Sequence, residues 1–399
     1  MTKASWPVAP LESLCRFHNG GTPSRTVPEF FDGDIPWLTG ADIQGPLAGD
    51  CRTYLTEAGI RSSPACKVPK GTILLVTRTS VGKVAVAERE LSFSQDITAL
   101  RPDEGRVDTS YLVHFLRTQE KRFQMDSRGA TIKGITREVV ATTGVPLPPL
   151  PEQRRIAHIL DQADALRAKR RAALAELDSL QQSIFLDMFD TGRRPPVDLG
   201  EGNCEHSEGW KWILLTNEAR LATGHTPDRK RPEYWNGDIP WISLTDIRKL
   251  DGRNATATSQ TVTQEGIDHS SAVRLPEGTV CFSRTASVGF VTIMGREMST
   301  SQDFVNWVCG PRLDPVYLMH AFLNSRARLR ALSSGSTHKT IYFPTVEQFR
   351  VLLPPLSLQH DFANQVGKVM DLKAISEASI ASYDTLFESL QHRAFQGEL

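Results

Sequence analysis

The pentapeptide Gly33-Asp34-Ile35-Pro36-Trp37 occurs again, unchanged, as Gly237-Asp238-Ile239-Pro240-Trp241. Further short motifs return in the same order: Thr22-Pro23 as Thr226-Pro227, Arg78-Thr79 as Arg284-Thr285, Ser94-Gln95-Asp96 as Ser301-Gln302-Asp303, and Leu147-Pro148-Pro149-Leu150 as Leu353-Pro354-Pro355-Leu356. The spacing between the copies drifts only from 204 to 207 residues. This period is far longer than the roughly 20 to 50 residues of a solenoid repeat. The sequence therefore predicts two copies of a whole domain.

A long amphipathic stretch follows each copy of the Leu-Pro-Pro-Leu motif. Apolar residues recur there at steps of three and four, which is typical of a helix with a single apolar stripe. The stripe residues are Ile156, Ile159, Leu160, Ala163, Leu166, Leu174, Leu177, Leu180 and Ile184, and then Phe362, Val366, Val369, Leu372, Ile375, Ile380, Tyr383, Phe387 and Leu390. Helices of about 35 residues would be about 50 Å long. Because each stripe needs a partner, we expect the two helices to pair antiparallel, related by a pseudo-two-fold axis.

The predicted fold class is α+β. Residues 71–76, 84–87, 278–282 and 290–293 have the pattern of strands, while residues 111–116 and 317–323 have the pattern of helices. The chain then divides into a first globular domain (1–150), a central helical spacer (151–189), a linker rich in Pro, Gly and charge (190–209), a second globular domain (210–356) and a C-terminal helical spacer (357–399).

Composition excludes several classes of protein. The 399 residues carry 46 basic and 46 acidic side chains, so any binding of nucleic acid must depend on a local basic face. The six cysteines contain no C-x-x-C pair, and the sequence has no signal-peptide pattern at its start, so a cytoplasmic location is expected. No phosphate loop, dinucleotide-binding motif or H-E-x-x-H motif occurs. We therefore predict no catalytic residue, no metal site and no cofactor in this chain.

The repeated motifs, each copy followed by Leu-Pro-Pro-Leu and a long helix, resemble the specificity subunit of a type I restriction-modification system. This resemblance covers nearly the whole chain. It implies two target recognition domains, each reading one half of a split site in double-stranded DNA. It also implies helices that dock two modification subunits, which carry S-adenosylmethionine and methylate adenine, with motor-nuclease subunits completing a restriction complex. The helix starts differ, because Pro151-Glu152-Gln153 is matched by Ser357-Leu358-Gln359.

The predicted DNA-binding residues lie in the polar turns and basic stretches that both copies share. In the first copy they are Thr22, Ser24, Arg25, Arg78, Thr79, Ser80, Lys83, Arg128, Thr131 and Lys133. In the second copy they are His225, Thr226, Arg229, Arg284, Thr285, Ser287, Arg326, Arg328, Ser336, His338 and Lys339. Arginine can bind guanine through two hydrogen bonds, and glycine-rich loops permit close approach to phosphate. The basic stretch is equally consistent with a solvated helix face, and the turn arginines with a role in fixing the turn.

Matched residues are weaker candidates for base discrimination than residues that differ between the copies, because the two half-sites of such a site normally differ. We therefore assign the Ser-Gln-Asp motif to structural hydrogen bonds, and Trp37 and Trp241 to the core. Arg25 against Asp228 and Lys83 against Phe290 are the better candidates for discrimination. Two other classes stay open: a self-contained DNA methyltransferase or nuclease, and a two-headed adaptor for protein or carbohydrate.

Overall fold

The computed structural model describes residues 6–129, 133–189, 192, 194–200, 206–335 and 339–399. The chain divides into two compact units, one formed by residues 1–172 and 378–399 and the other by residues 173–377. The first unit contains a first lobe (residues 6–149), and the second unit contains a second lobe (residues 194–355). The boundaries fall inside the two long helices, because each helix packs one half against each lobe. The predicted spacer segments are thus part of the two units.

The first lobe is built mainly from short strands. Its strands are β1 (Val8–Pro10), β2 (Cys15–Asn19), β3 (Ile35–Leu38), β4 (Leu47–Ala48), β5 (Tyr54–Leu55), β6 (Lys67–Val68), β7 (Ile73–Val76), β8 (Val84–Ala87), β9 (Leu91–Phe93), β10 (Ile97–Pro102) and β11 (Gly144–Pro146). Its helices are α1 (Glu57–Arg61), α2 (Thr109–Thr118), α3 (Glu120–Asp126) and α4 (Arg137–Ala141), and α5 (Leu150–Phe189) follows.

The second lobe repeats most of this order of elements, with one additional strand and one additional helix, and with no named strand at the position of β6 among the described residues. Its strands are β12 (Val197–Asp198), β13 (Lys211–Leu214), β14 (Ala219–Thr223), β15 (Trp235–Ile242), β16 (Asn254–Ala255), β17 (Gln260–Val262), β18 (Val280–Ser283), β19 (Val291–Met294), β20 (Ser299–Thr300), β21 (Phe304–Cys309) and β22 (Arg350–Leu353). Its helices are α6 (Leu244–Leu250), α7 (Gln264–Asp268), α8 (Pro315–Asn324), α9 (Arg326–Ala331) and α10 (Phe343–Val346), and α11 (Leu356–Gln396) follows.

The two lobes share one sheet topology. The main sheet of the first lobe has the order β2-β10-β7-β8-β4, and that of the second lobe has the order β14-β21-β18-β19-β16. A second sheet contains β5-β3-β9-β6 in the first lobe and β17-β15-β20 in the second. The strands β3 and β15, which contain the repeated pentapeptide tryptophans, pair parallel with β9 and β20. This agreement confirms the α+β class and the duplication.

Hydrophobic residues of the main sheet and of the helix behind it form the core of each lobe. Ile73, Leu75 and Leu100 are fully buried in the first lobe with Tyr111 and Leu112 of α2. The second lobe buries the equivalent set from β18, β21 and α8. A glycine with positive φ precedes each central strand, Gly71 at 86° and Gly278 at 81°, since an L side chain rarely adopts that turn.

The long helices pair antiparallel within each unit, as predicted. In the first unit Arg155 of α5 donates to the Leu399 backbone oxygen at 3.0 Å, and Arg167 donates to Asp384 of α11 at 2.7 Å. In the second unit Lys373 of α11 pairs with Asp178 of α5, and Gln365 lies 3.6 Å from the Met188 sulfur. In both units the residue numbers of the partners run in opposite directions.

In each unit, segments of both long helices also pack into the core of the lobe. Phe387 and Ala394 of α11 join Ile156 and Leu160 of α5 in the core of the first lobe. Phe185 and Phe189 of α5 join Phe362 and Val366 of α11 in the core of the second. The apolar stripe of each long helix thus packs at one end into the core of the first lobe and at the other end into the core of the second.

Several apolar side chains on these helices stay exposed, which differs from the prediction of a buried stripe. The first unit exposes Leu166 and Leu386, and the second unit exposes Leu180, Leu186, Leu372 and Ile375. Ile375 is 67% exposed although it belongs to the predicted stripe. The physical reason is that a two-helix pair covers one side of each helix, and away from the lobes nothing in the described chain covers the other side.

A buried glutamine explains why the Leu-Pro-Pro-Leu motif lies at both helix starts. Gln153 accepts from the Asp108 backbone N–H at 2.8 Å and donates to the backbone oxygens of Arg106 (3.1 Å) and Pro148 (2.9 Å). Gln359 makes the same three bonds to Asp314 N, Arg312 O and Pro354 O, at 2.8, 3.1 and 2.8 Å. We call these two residues the glutamine clamps. Gln153 and Gln359 are the third residues of helix starts that otherwise differ, and they make the same hydrogen bonds in both copies.

Candidate nucleic-acid interface

Two loops at the end of the central strand form the candidate interface in each lobe. The strand-end loop comprises residues 77–82 after β7 and residues 284–289 after β18. Thr79 (φ 65°) and Ala286 (φ 58°) adopt the left-handed region, which costs an L residue about 1 kcal/mol. Hydrogen bonds of 3.0 Å from Thr79 N to Lys133 O, and from Ala286 N to Lys339 O, hold this turn in place.

The partner in each bond belongs to the glycine loop, which comprises residues 127–135 or 333–341. Its described ends are closed by short bridges, Arg128 to Gly134 in the first lobe and Ser334 to Thr340 in the second. Lys133 and Lys339 are exposed beside these bridges. Three predicted DNA-binding residues, Thr131, Ser336 and His338, lie outside the described residues. The two loops are thus connected at the same edge of each lobe.

The structure corrects the predicted equivalence of Arg78 and Arg284. Thr77 N donates to Asp96 O at 2.8 Å, and Arg284 N donates to Asp303 O at 2.9 Å, so Arg284 is the counterpart of Thr77. Arg78 corresponds to Thr285, because these residues bridge Gly134 and Thr340. The offset is already 207 residues at the central strand, one more than the matching Arg-Thr pairs suggest. Adjacent residues of an extended segment point to opposite sides, so the two arginines face different surroundings.

Arg78 and Arg284 accordingly differ in exposure and contacts. Arg284 is half-buried, with its guanidinium 4.6 Å from the Phe343 ring centre and a 3.0 Å bond to Gln302 O. Burial lowers the pKa of Arg284. Arg78 is exposed at the tip of its strand, with no side-chain partner among the described residues. Arg78 is therefore free to contact a ligand, whereas Arg284 packs within its own lobe.

A second correction concerns Arg25. Thr26 N donates to the Ser24 hydroxyl at 3.4 Å, and Lys230 N donates to Asp228 Oδ1 at 2.9 Å, so Asp228 is the counterpart of Ser24. Arg25 therefore matches Arg229, and the pair that differs in charge is Ser24 and Asp228. A single-residue slip in the matching of this turn caused the error.

The equivalence of Lys83 and Phe290 is confirmed, since their backbone oxygens accept from Val76 N (2.9 Å) and Ser283 N (2.8 Å). Lys83 Nζ donates to Ile43 O at 3.2 Å. Phe290 instead lies beneath the guanidinium of Arg326, at 5.3 Å. The two lobes thus place a cation and an aromatic ring at the same point.

The repeated Ser-Gln-Asp motif combines two roles. Ser94 accepts from Asp96 N at 3.3 Å, and Ser301 donates to Asp303 at 2.8 Å, which is the predicted structural role. The glutamines between them are exposed. Thr22 donates to the side-chain oxygen of Gln95, and Thr226 to that of Gln302 at 2.6 Å. Each threonine fixes the glutamine oxygen and so presents the amide NH2 to solvent, a feature that the sequence reasoning missed.

A polar cleft of about 570 Å³ extends from Gln302 in the second lobe. Thr226, Ser243 and Asp303 line it, and Arg229 lies over the rings of Trp235 (5.0 Å) and Trp241 (5.5 Å). The Trp241 indole is 2% exposed and donates to His225 O at 3.1 Å, as Trp37 donates to Gly21 O at 3.0 Å. The prediction that both tryptophans belong to the core is confirmed.

The predicted basic residues of the second lobe fall into two groups. Arg326 binds both carboxylate oxygens of Asp251 at 2.7 Å, and Arg328 binds Asp198 at 3.0 Å, so carboxylates neutralise these two arginines. Arg330 and Lys339 have no carboxylate within 4.0 Å in the described part of the chain. Ser287 is buried and accepts from Arg248, a cation that the prediction did not include, at 3.0 Å.

The remaining predicted residues lie outside the named helices and strands of their lobes. Ser24 contacts the Thr26 hydroxyl at 2.7 Å, and the Ser80 N–H closes the strand-end loop on Arg78 O at 2.9 Å. Arg128 and His225 have exposed side chains. Within the described ranges, the helices include none that is long and apolar enough to cross a membrane.

Two lobes of one α+β topology, each packed on a pair of antiparallel helices and each presenting polar and basic loops, define a protein built from a duplicated domain. The chain belongs to the type I restriction modification DNA specificity domain family, whose model matches residues 3–176 and 208–381. The family assignment therefore covers both copies, each with part of its long helix.

Named relatives support the same assignment. The chain is 26% identical over 253 residues to the type I restriction enzyme MjaIX specificity subunit of Methanocaldococcus jannaschii, a match that covers 61% of this chain and 58% of that protein. It is 23% identical over 429 residues to the EcoKI specificity subunit of Escherichia coli, covering 99% and 89%. The crystal structure of an S subunit from M. genitalium superposes with a TM-score of 0.60 at 13% identity and 99% coverage of both chains, which shows a shared fold.

Proposed function

We propose that this chain is the DNA-recognition subunit of a type I restriction-modification complex, and that each lobe reads one half of a split site. The observation that carries this proposal is the pair of connected loops at the end of β7 and again at the end of β18. The backbone bonds of the loops match between lobes, while the side chains at equivalent positions differ, as in the exposed Arg78 against the half-buried Thr285. Such a scaffold suits two lobes that recognise different DNA sequences.

The exposed side chains divide by the DNA groups that they suit. Arg78 can bind guanine O6 and N7 in the major groove, and the amide groups of Gln95 and Gln302 can donate to base edges. Lys133 and Lys339 lie on the glycine loops and suit phosphate oxygens, which fix position without reading sequence. Discrimination between the half-sites then rests on positions where the lobes differ, such as Ser24 and Asp228.

The long helices are the proposed docking surface for two modification subunits. The exposed leucines and Ile375 support this role, because apolar side chains on a helix face are stabilised when a partner covers them. Leu372 and Ile375 are three residues apart and so share a face of α11. In this proposal S-adenosylmethionine and the methylation chemistry belong to the modification subunits, motor-nuclease subunits complete a restriction complex, and this chain contributes no catalytic group.

Mapping methylated adenine in cells that express this chain together with modification subunits identifies the recognised DNA site. A duplex that contains this site is then the probe for binding. The purified complex should protect two segments separated by an unprotected gap. Arg78→Ala should weaken binding of that duplex by about 1 to 3 kcal/mol and relax specificity at one guanine of one half-site. Arg101→Ala, which removes an exposed arginine of β10 outside the two loops, is the control and should leave recognition of that half-site unchanged.

Other results would contradict the proposal. A single continuous footprint would argue against a split site, and binding of S-adenosylmethionine by the isolated chain would favour a self-contained methyltransferase. Binding of the complex to protein or carbohydrate, with no dependence on DNA or salt, would favour an adaptor.

A further inference from the structure

A basic cleft of about 500 Å³ lies in the second lobe, between the strand-end loop, α9 and the glycine loop. Arg248, Arg330 and Lys339 line it together with the hydroxyl-bearing residues Ser287 and Ser333. None of the three cations has a carboxylate within 4.0 Å among the residues that the structure describes. The cleft thus combines three uncompensated positive charges with hydroxyl groups, which is the chemistry that binds a phosphate group.

Both arginines in the cleft are held by their inner nitrogen. Arg248 Nε donates to Ser287 Oγ at 3.0 Å, and Arg330 Nε donates to Val288 O at 2.9 Å. The Arg330 guanidinium also lies 5.5 Å from the Phe290 ring centre. Their terminal nitrogens make no hydrogen bond within the described residues, so they remain available to a ligand. Because the side chains are already fixed, binding an anion costs them little further entropy.

The first lobe lacks the two arginine charges at the equivalent positions, although Lys83, which donates to Ile43 O at 3.2 Å, occupies the position of Phe290 in the lining of the cleft. Gln124 corresponds to Arg330, since Gln124 Nε2 donates to Val81 O at 3.4 Å as Arg330 donates to Val288 O. Gln44 follows the buried Ile43 as Arg248 follows the buried Ile247. Gln124 also bonds to the carboxylate of Glu120 at 3.1 Å. Only Lys133, the counterpart of Lys339, keeps its charge in both lobes.

We infer that Arg248 and Arg330 form a clamp for the phosphate backbone of DNA in the second lobe, for which the first lobe has no equivalent. This inference rests on the proposed DNA-binding function. The clamp adjoins Ser287 and Lys339 of the candidate interface, so it contacts the same duplex as the reading loops. The second lobe then supplies most of the salt-sensitive affinity, and the first lobe depends more on contacts to bases.

The test exchanges residues between the lobes in the full chain. A labelled duplex of mixed sequence is titrated with the wild type and with Arg248→Gln/Arg330→Gln, between about 50 and 200 mM KCl. These substitutions install the residues of the first lobe, where Gln124 makes the equivalent bond, so the fold should be kept. Losing two phosphate contacts should reduce the slope of log affinity against log salt by about 2.

Two further variants make the result specific to the cleft. Arg220→Gln/Arg296→Gln removes two exposed charges of the second lobe that do not line the cleft, and its slope should change by well under 1 unit. The reciprocal Gln44→Arg/Gln124→Arg should make the slope steeper by about 1 to 2. Circular dichroism melting checks that every variant is folded.

The outcomes separate the inference from the proposed function. If the wild type binds the duplex and Arg248→Gln/Arg330→Gln keeps the wild-type slope, the clamp is wrong while DNA binding stands. An equal loss of slope in the cleft variant and in the Arg220/Arg296 control would also overturn the clamp. If the folded wild type binds no duplex at any salt concentration, alone or with modification subunits, the proposed function fails and the clamp fails with it.

Discussion

The two lobes agree in their backbone and in several buried hydrogen bonds, and they differ at several exposed positions. The sheet order, the left-handed turns and the glutamine clamps are the same in both. The exposed positions differ in charge, as in Gln124 against Arg330. The comparison shows that packing and buried hydrogen bonds preserve the backbone, which leaves the surface residues able to change without unfolding the lobe.

Buried positions differ as well, and a pair of histidines shows this. In the first unit His114 Nε2 bonds to Asp161 of α5 at 2.8 Å, and Ser110 donates to the same carboxylate at 2.9 Å. In the second unit the equivalent His320 is buried beside Phe362, and its Nε2 has no hydrogen-bond partner in the described chain. Gly367 is the counterpart of Asp161, 206 residues later like His320 after His114. The equivalent histidines therefore differ, because His114 bonds to a carboxylate whereas His320 lines a cavity with Lys373 and Gln181 and has no hydrogen-bond partner at Nε2 in the described chain.

The largest effect is expected where the lobes agree. Gln153→Ala and Gln359→Ala should each reduce the free energy of unfolding of their own lobe by about 3 kcal/mol, because each leaves a buried N–H and two carbonyl groups without a partner. Hydrogen exchange of the two lobes, measured in the full chain, reports each loss locally. Gln162→Ala, at an exposed position of α5, is the control and should have little effect. Strongly unequal losses would show that Gln153 and Gln359 do not contribute equally to the stability of their lobes.

The second-largest effect is expected at His320, whose surroundings differ from those of its counterpart His114. Burial lowers the pKa of His320 to about 4, so folding favours its neutral form. Neutral His320 therefore makes its full contribution to the free energy of unfolding above the ordinary histidine pKa of 6.5. This contribution is lost as pH falls toward 4. Between about pH 7 and pH 5 the second unit should lose about 2 kcal/mol through this group.

His320→Leu should remove that part of the pH dependence, measured as the difference in unfolding free energy between variant and wild type at each pH. His114→Leu provides the comparison in the first unit. Burial also lowers the pKa of His114, but Asp161 opposes this effect, so the pH-dependent difference should be smaller. A larger acid sensitivity from His114 would contradict the assignment.

Restoring the missing carboxylate should make the two sites alike. An added Cβ at Gly367 meets no atom within 4 Å, so Gly367→Asp can be accommodated. The new carboxylate should raise the pKa of His320 by about 1 unit, equivalent to about 1.4 kcal/mol. NMR titration of the histidine ring measures this shift. Gly367→Ala is the control, because it adds the side-chain carbon without the charge and should leave the pKa of His320 unchanged.

The smallest effect is expected at the exposed ion pairs of the helices. Asp384 accepts from Arg167 and Arg171 in the first unit, and these bonds lower the pKa of its carboxyl group. Asp384→Asn should nevertheless reduce stability by only about 0.5 kcal/mol, since water and salt screen an exposed pair. Asp178→Asn, which removes the partner of Lys373 in the second unit, should have a similarly small effect in thermal unfolding.

The repeats and the helical periodicity were sufficient to predict the duplication, the α+β class and the antiparallel helices. They were not sufficient to place single residues in the turns. Arg78-Thr79 matches Arg284-Thr285 as letters, yet the strand bonds set the register one residue away. The carboxylates that neutralise Arg326 and Arg328 lie 75 and 130 residues away, so no local pattern reveals them. The glutamine clamps were visible as a matched pair, but a buried amide cannot be told from an exposed one without the fold.

The glutamine clamp makes the border between a lobe and its helix chemically identical in both halves of the chain. A foreign lobe that ends in the same proline pair and meets the same glutamine would find its anchoring bonds already in place. If the lobes read half-sites as proposed, recombination at this border replaces one lobe and leaves the other unchanged. New pairs of half-sites then arise by exchange of a whole segment, without a series of point mutations.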